Sequence, residues 1–233
     1  LRIFVIADTH LWLSDEREAP FRQYSKRMAA AYNETTHFKT GEKTNPEKAF
    51  RQTVALAKAK NADVIALLGD IVSYPSERAV EFVQEVMRES GIPYYYTCGN
   101  HDWHYEGMEG TSHELRKKWR EERLFQLFGK YDPVAYGVEH KGVRLLFFDT
   151  SNYEIEPRQL DFIRKEAKSG VPFILFQHIP LYAPSRSVAY GIGHPKWGAA
   201  ADGGYQTERR NRWSEGHQKV DYDFYETLVE APN

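Results

Sequence analysis

The stretch IPYYYTCGNHDW, residues 92–103, joins an aromatic, apolar run to a polar cluster with no spacer between them. Residues 92–98 have the side chains of a short buried strand. Gly99 and Asn100 alone would read as the turn after such a strand, because both tolerate left-handed backbone angles. A turn does not account for His101 and Asp102, which place an imidazole and a carboxylate where a buried strand has just ended.

Outward from this point the same grammar repeats. RIFVIA (2–7) and DVIALLG (63–69) are short, β-branched and almost wholly apolar, as strands covered on both faces are. Between them, residues 45–61 have Asn45 as cap, Pro46 at the first helical position, and Phe50, Val54 and Ala57 at helical spacing, which predicts a crossover helix. Residues 76–91 predict a second, capped by Ser76, with Val80, Val83 and Met87 on one face and Gly91 closing it. AYGVEHKGVRLLFFDTS (135–151) predicts a hairpin turning near Lys141 and Gly142. A helix follows over 156–170, with Pro157 at its start and Gly170 after its end, then the strand VPFILFQH (171–178) and a helix-like close over 223–233. This alternation predicts a single α/β layered domain with mixed rather than purely parallel sheet. Residues 11–45 and 180–218 fit no element and read as long insertions, a length that in compact domains usually marks functional lids or mobile segments.

Composition narrows the classes of partner. At 233 residues and 41% hydrophobic, the chain can bury one substantial core. The 31 basic and 33 acidic residues give a net charge of −2, so no global field draws nucleic acid or an anionic membrane. The single cysteine, Cys98, excludes an internal disulfide framework, leaves the compartment open and reads as a small core residue. The longest apolar runs stop far short of the roughly 20 residues of a membrane-spanning helix. The chain opens directly on LRIFVIADTH, so a signal peptide is expected to be absent or already removed.

The polar residues then fall into a pattern. RIFVIA is followed by Asp8 and His10, DVIALLG by Asp70, YYYTCG by Asn100, His101 and Asp102, and VPFILFQ by His178. If the strands run parallel, these groups line one edge of the sheet, at the carboxyl ends where open α/β sheets bind ligands. Aspartate, histidine and an amide oxygen suit divalent or trivalent transition metals, whereas a structural zinc site would use thiolates that the chain lacks.

The ordered series DxH (Asp8, His10), GD (Asp70), GNHD (Asn100–Asp102) and QH (His178) resembles the calcineurin-like metallophosphoesterase superfamily. The match runs along nearly the whole chain as scattered motifs. The resemblance implies the layered metallophosphoesterase fold, with helices flanking mixed sheets, and a site holding two manganese, iron or zinc ions. Asp8 and His10 would bind the first ion, Asp70 would bridge both, and Asn100 and His178 would bind the second. His101 would be the general acid, with Asp102 orienting its imidazole. Two divalent ions, two aspartates and a bridging hydroxide leave about +1 of formal charge to meet a phosphate. The expected activity is hydrolysis of small phosphomonoesters or phosphodiesters by that hydroxide. The family's GHxH motif is missing from the 233 residues: GHPK (193–196) and GHQK (216–219) carry only its first half, and the motif is expected beyond Asn233.

Finer assignments stay open. IADTHL and GNHD resemble bacterial cyclic-nucleotide phosphodiesterases and equally many other phosphatases. Purple acid phosphatases carry a tyrosine three residues after the bridging aspartate; here that position is Ser73, with Tyr74 one further on, so a metal-bound tyrosinate is not expected. Asp149, after RLLFF, reads as a turn-capping residue. Arg186, Arg209 and Arg210, interleaved with aromatics in the 180–218 stretch, are candidates to bind a phosphorylated substrate bearing a ring. A nuclease and a non-catalytic scaffold are the alternatives: the absence of a dense basic stripe weighs against the first, and retention of His101 and Asp102 against the second.

Overall fold

The computed structural model describes residues 1–31, 33–37, 39–181 and 219–232. Strand β1 (Ile3–Ile6) leads into an excursion: a 3-10 helix (Glu16–Phe21) running directly into α1 (Arg22–Ala31), then a small hairpin, β2 (Thr35–Thr36) with β3 (Lys43–Thr44). After it come α2 (Pro46–Ala59), β4 (Val64–Leu68), α3 (Glu77–Ser90) and β5 (Tyr94–Thr97). Next is α4 (Ser112–Trp119), which passes through a π turn (Arg120–Leu124) into α5 (Phe125–Phe128). Strands β6 (Ala135–His140) and β7 (Val143–Phe148), helix α6 (Pro157–Ala167), strand β8 (Phe173–Gln177) and helix α7 (Lys219–Val229) complete the described chain.

The expected local signals act where they stand. Asn45 Oδ1 accepts from the Lys48 amide at 2.8 Å, Ser76 caps α3, and Gly91 ends it with φ 71°. Lys141 and Gly142, both at positive φ, form the two-residue turn of the β6–β7 hairpin.

Apart from the β2–β3 hairpin, the described strands form two three-stranded sheets. In one, β1, β4 and β5 are all parallel, with β4 central; in the other, β7 pairs antiparallel with β6 and parallel with β8. The expectation of a single ligand-bearing edge is therefore corrected: His178 leaves a different sheet from Asp8, Asp70 and Asn100. The reason lies in β7, whose alternate side chains enter two cores. Leu145 and Phe147 join the core shared with Ile65, Leu67 and Tyr96, whereas Leu146 and Phe148 pack with Ile163 and Phe224 under α6 and α7. A strand that is apolar on both faces needs cover on both.

Between the sheets the seam is specific as well as apolar. Within the second sheet the ring of Phe147 stacks on Tyr136 and Phe176, with centroids 5.1 and 4.9 Å away, and across the seam it meets the ring of Tyr95 at 5.5 Å. Tyr136 donates its hydroxyl proton to the Tyr96 carbonyl at 2.8 Å and accepts from the Tyr96 amide at 3.0 Å, and the Thr97 hydroxyl donates to the Phe148 carbonyl at 2.8 Å. These bonds fix the carboxyl ends of β4 and β5 beside that of β8, which is what positions the site.

Candidate metal centre

Two loops run side by side at the ends of β1 and β4. The amides of Asp8, His10 and Leu11 donate to the carbonyls of Gly69, Asp70 and Ile71 at 3.1, 2.9 and 2.9 Å. To run in this register the backbone enters the left-handed region at Asp8 (φ 54°), His10 (φ 47°) and Asp70 (φ 50°). Each such non-glycine residue costs on the order of 1 kcal/mol, and strain of this kind concentrates at functional sites.

The side chains thrown together by this backbone are the expected ones. Asp8, His10 and Asp70 each offer one donor atom within 4.8 Å of one another. From the second sheet, His178 brings Nε2 to 3.3 Å from Asp70 Oδ2. Its Nδ1 donates to the Leu68 carbonyl at 2.8 Å, which fixes the tautomer and directs Nε2 into the cluster. His101 stands at the edge: its amide donates to Asp70 Oδ1 at 2.8 Å, its Nε2 is 4.0 Å from Asp70 Oδ2, and its ring meets the His10 ring edge-on at 4.9 Å. Asn100 is half-buried on the same turn.

Two glycines make this approach possible. A Cβ on Gly69, itself at φ 74°, would come within 2.5 Å of the Gly99 nitrogen and 2.7 Å of His178 Cγ. One on Gly99 would collide with the Asp70 backbone and carboxylate. Neither position can carry a side chain without moving Asp70 or His178.

The electrostatics follow from packing carboxylates and imidazoles out of water. Burial holds His10 down at about 4 even with Asp70 beside it. Burial also depresses His101. At His178, burial works in the same direction but is outweighed by the hydrogen bond and charge of Asp70, which lift it to about 9. Asp70 is drawn below the usual carboxylate range: burial opposes this, and His178 and His101 prevail. Two carboxylates and two imidazoles with convergent donors fit a transition-metal centre.

Asp102 departs from its expected role. Both its oxygens are engaged by backbone: Oδ2 accepts from the amides of Asp70 (2.9 Å) and Gly99 (2.7 Å), and Oδ1 from that of Val72 (2.9 Å). It is fully buried, and burial with the Asp70 charge pushes its carboxyl up to about 7. Its contacts are therefore with the turns that carry Asp70 and Asn100, not with the His101 imidazole it was expected to orient.

A family model described as calcineurin-like phosphoesterase matches residues 1–220. The chain belongs to the calcineurin-like phosphoesterase family. A probable cyclic nucleotide phosphodiesterase from Fibrobacter succinogenes is 27% identical over 122 residues, 52% of this chain, and the match spans 43% of that relative's length. Among solved structures, a dimetal phosphatase from Danio rerio is similar at 13% identity, with a TM-score of 0.49, covering 77% of this chain and 70% of that one. A purple acid phosphatase from yellow lupin seeds is similar at 15% identity and a TM-score of 0.48, covering 80% of this chain and 31% of that one.

Other residues of this calcineurin-like phosphoesterase settle into supporting places. The Ser73 hydroxyl donates to the His10 carbonyl at 2.9 Å and the Tyr74 hydroxyl to the Trp12 carbonyl at 2.8 Å, so both are spent on the loop pair. Cys98 is wholly buried and its thiol is held far above its ordinary range by burial, as a core residue's would be. Asp149 does cap its turn, accepting from the Ser151 amide at 2.9 Å, but it also takes Arg120 at 2.9 Å and faces Arg116 at 3.6 Å. Those arginines lie on α4 and the π turn, which sequence reasoning passed over; a Thr111–Glu114 capping box and Gly129 mark the ends of that segment. Arg186, Arg209 and Arg210 lie outside the described residues. Among the described residues, no helix is long and apolar enough to cross a membrane.

Proposed function

We propose that this chain is a metal-dependent phosphoesterase that hydrolyses small phosphomonoesters or phosphodiesters at the cluster of Asp8, His10, Asp70, Asn100 and His178. The observation that carries the reading is the convergence of donors from two sheets: Asp8, His10 and Asp70 within 4.8 Å of one another, and His178 3.3 Å from Asp70. Membership of the calcineurin-like phosphoesterase family supports a hydrolase, and the Fibrobacter relative's description supports diesters among the substrates. Asp8 and His10 would hold one cation, Asn100 and His178 the other, with Asp70 shared between them. Two such ions, when bound, supply positive charge for the phosphoryl oxygens and make water acidic enough to attack at neutral pH.

The chain's own groups do the rest. His101, at the edge of the cluster and 4.0 Å from Asp70, would pass a proton from its ring to the leaving oxygen. Asp70 keeps its charge because its neighbours hold its carboxyl below the ordinary range. Asp102 fixes the two turns against each other, so that Asp70 and Asn100 keep one spacing. A scaffold would gain nothing from the left-handed backbone at Asp8, His10 and Asp70, which favours the enzyme over a non-catalytic relative.

The test is hydrolysis of p-nitrophenyl phosphate and of its bis ester with added manganese, iron or zinc. The wild type should release nitrophenol from at least one ester, and His101→Ala should lower kcat by about 100-fold or more. Silence of the full-length protein with every metal, or a His101→Ala variant as active as the wild type, would overturn the assignment.

A further inference from the structure

The backbone ladder between β7 and β8 ends with Phe148 opposite Gln177. Beyond it the Asp149 amide bonds to the Val134 carbonyl at 2.9 Å, on the segment leading into β6. Two residues further along the same register Thr150 faces Ile179, and there a side chain replaces the missing backbone rung. The Thr150 hydroxyl accepts from the Ile179 amide at 3.0 Å and donates to the Ile179 carbonyl at 3.2 Å. That amide belongs to the peptide unit that leaves His178. With Nδ1 bonded to the Leu68 carbonyl, His178 is thus held at both its ring and its backbone.

The next residue reaches a different turn. Trp103, just past Asn100, donates its indole proton to Ser151 Oγ at 2.9 Å, and Ser151 donates its own to Asp149 Oδ1 at 2.5 Å. Thr150 and Ser151 are both wholly buried. The turn that presents them is braced from behind, where Gln159 donates to the Asp149 carbonyl and Arg116 to Asn152 Oδ1, each at 2.8 Å. Residues 149–152 therefore form a firm block that bonds to the Asn100 turn on one side and to the peptide after His178 on the other. The far end of the Asn100 turn is anchored separately, by the Tyr105 hydroxyl donating to Glu18 of the 3-10 helix at 2.5 Å. The loop of Asp8 and His10 is held by the carbonyls of Gly69, Asp70 and Ile71.

We propose that Thr150 is a positioning residue for one cation of the pair, setting His178 against the Asn100 turn, to which Ser151 ties it. This rests on the reading of the cluster as a two-ion phosphoesterase site. Asn100 and His178 follow strands of different sheets, so no common ladder fixes their spacing. A metal site needs its donors placed to within about 0.5 Å, and the groups that orient the ligands supply that precision. Asp8 and His10 owe their placement to other bonds, so the ion they would hold is indifferent to Thr150.

That asymmetry separates positioning from a general loosening of the fold. Manganese titration of the full-length protein, followed by electron paramagnetic resonance, distinguishes an isolated ion from a spin-coupled pair sharing Asp70. Thr150→Val keeps the shape of the side chain and removes the hydroxyl. It should lower one of the two manganese binding constants about tenfold and leave the other unchanged, and Thr150→Ser should recover to within about threefold of the wild type. If Thr150→Val does not fold, Ser151→Ala, which spares the Ile179 peptide, is read by the same criterion, with a loss of about threefold or more in one constant alone. Both constants falling together, or neither moving, in a protein whose wild type cleaves the nitrophenyl esters would overturn the inference and leave the hydrolase reading standing. A selective loss of one ion in a protein that cleaves no ester would sustain the inference and overturn the hydrolase reading.

Discussion

His178 Nε2 lies 3.3 Å from Asp70 Oδ2, although the two residues follow strands in different sheets. That distance depends on the seam between β5 and β7 and on the Leu68 carbonyl that holds Nδ1. His178→Ala removes one nitrogen donor from the cluster. The expected result is a loss of manganese affinity of at least tenfold by calorimetry. An isotherm matching the wild type would place His178 outside the centre.

Asp102 makes a different prediction from the one its neighbourhood in sequence suggests. An asparagine keeps one acceptor oxygen, so Asp102→Asn should strand at least one of the buried amides of Asp70, Gly99 and Val72. Each stranded amide costs about 1–3 kcal/mol. Denaturant unfolding should show that loss together with weaker metal binding. Unchanged stability, with only the pH–rate profile displaced, would restore the role of support for His101.

The contrast shows what can be read from residue order and what cannot. The gathering of Asp8, His10, Asp70 and His178 is legible because each follows an apolar run that ends abruptly, and strand ends are where α/β sheets present ligands. The partner of Asp102 is not legible. Adjacent side chains on a turn diverge, and here His101 faces Asp70 while Asp102 turns back to the amides of Asp70, Gly99 and Val72. The division into two sheets is hidden for a similar reason: an unbroken apolar run such as VRLLFF fits the middle of either sheet. The excursion over 16–31 gives little periodic signal, since α1 buries only Ser25 and Met28. Its attachment depends on Glu18, a carboxylate that the residue's usual preference would place on the surface.

Asp149 lends itself to a pH experiment. It is buried between Arg116 and Arg120, and its carboxyl is held below the ordinary range: burial opposes the shift, and the two guanidiniums overcome it. A carboxyl depressed in the folded state adds stability above its unfolded value, about 3.9, and loses that contribution as pH falls through the folded value. Asp149→Asn leaves Arg116 and Arg120 without their shared charge and should cost about 3–5 kcal/mol at neutral pH. The gap between variant and wild type should narrow below about pH 4. A gap constant from pH 7 to the acid transition would mean that the ion pair does not set the stability.

The central claim is that donors from two sheets gather around a pair of cations at Asp70. Anomalous diffraction from crystals grown with manganese tests it most directly. Two peaks are predicted beside Asp70, one facing Asp8 and His10 and the other facing Asn100 and His178. Manganese bound only elsewhere on the chain, with no peak at Asp70, would contradict the account.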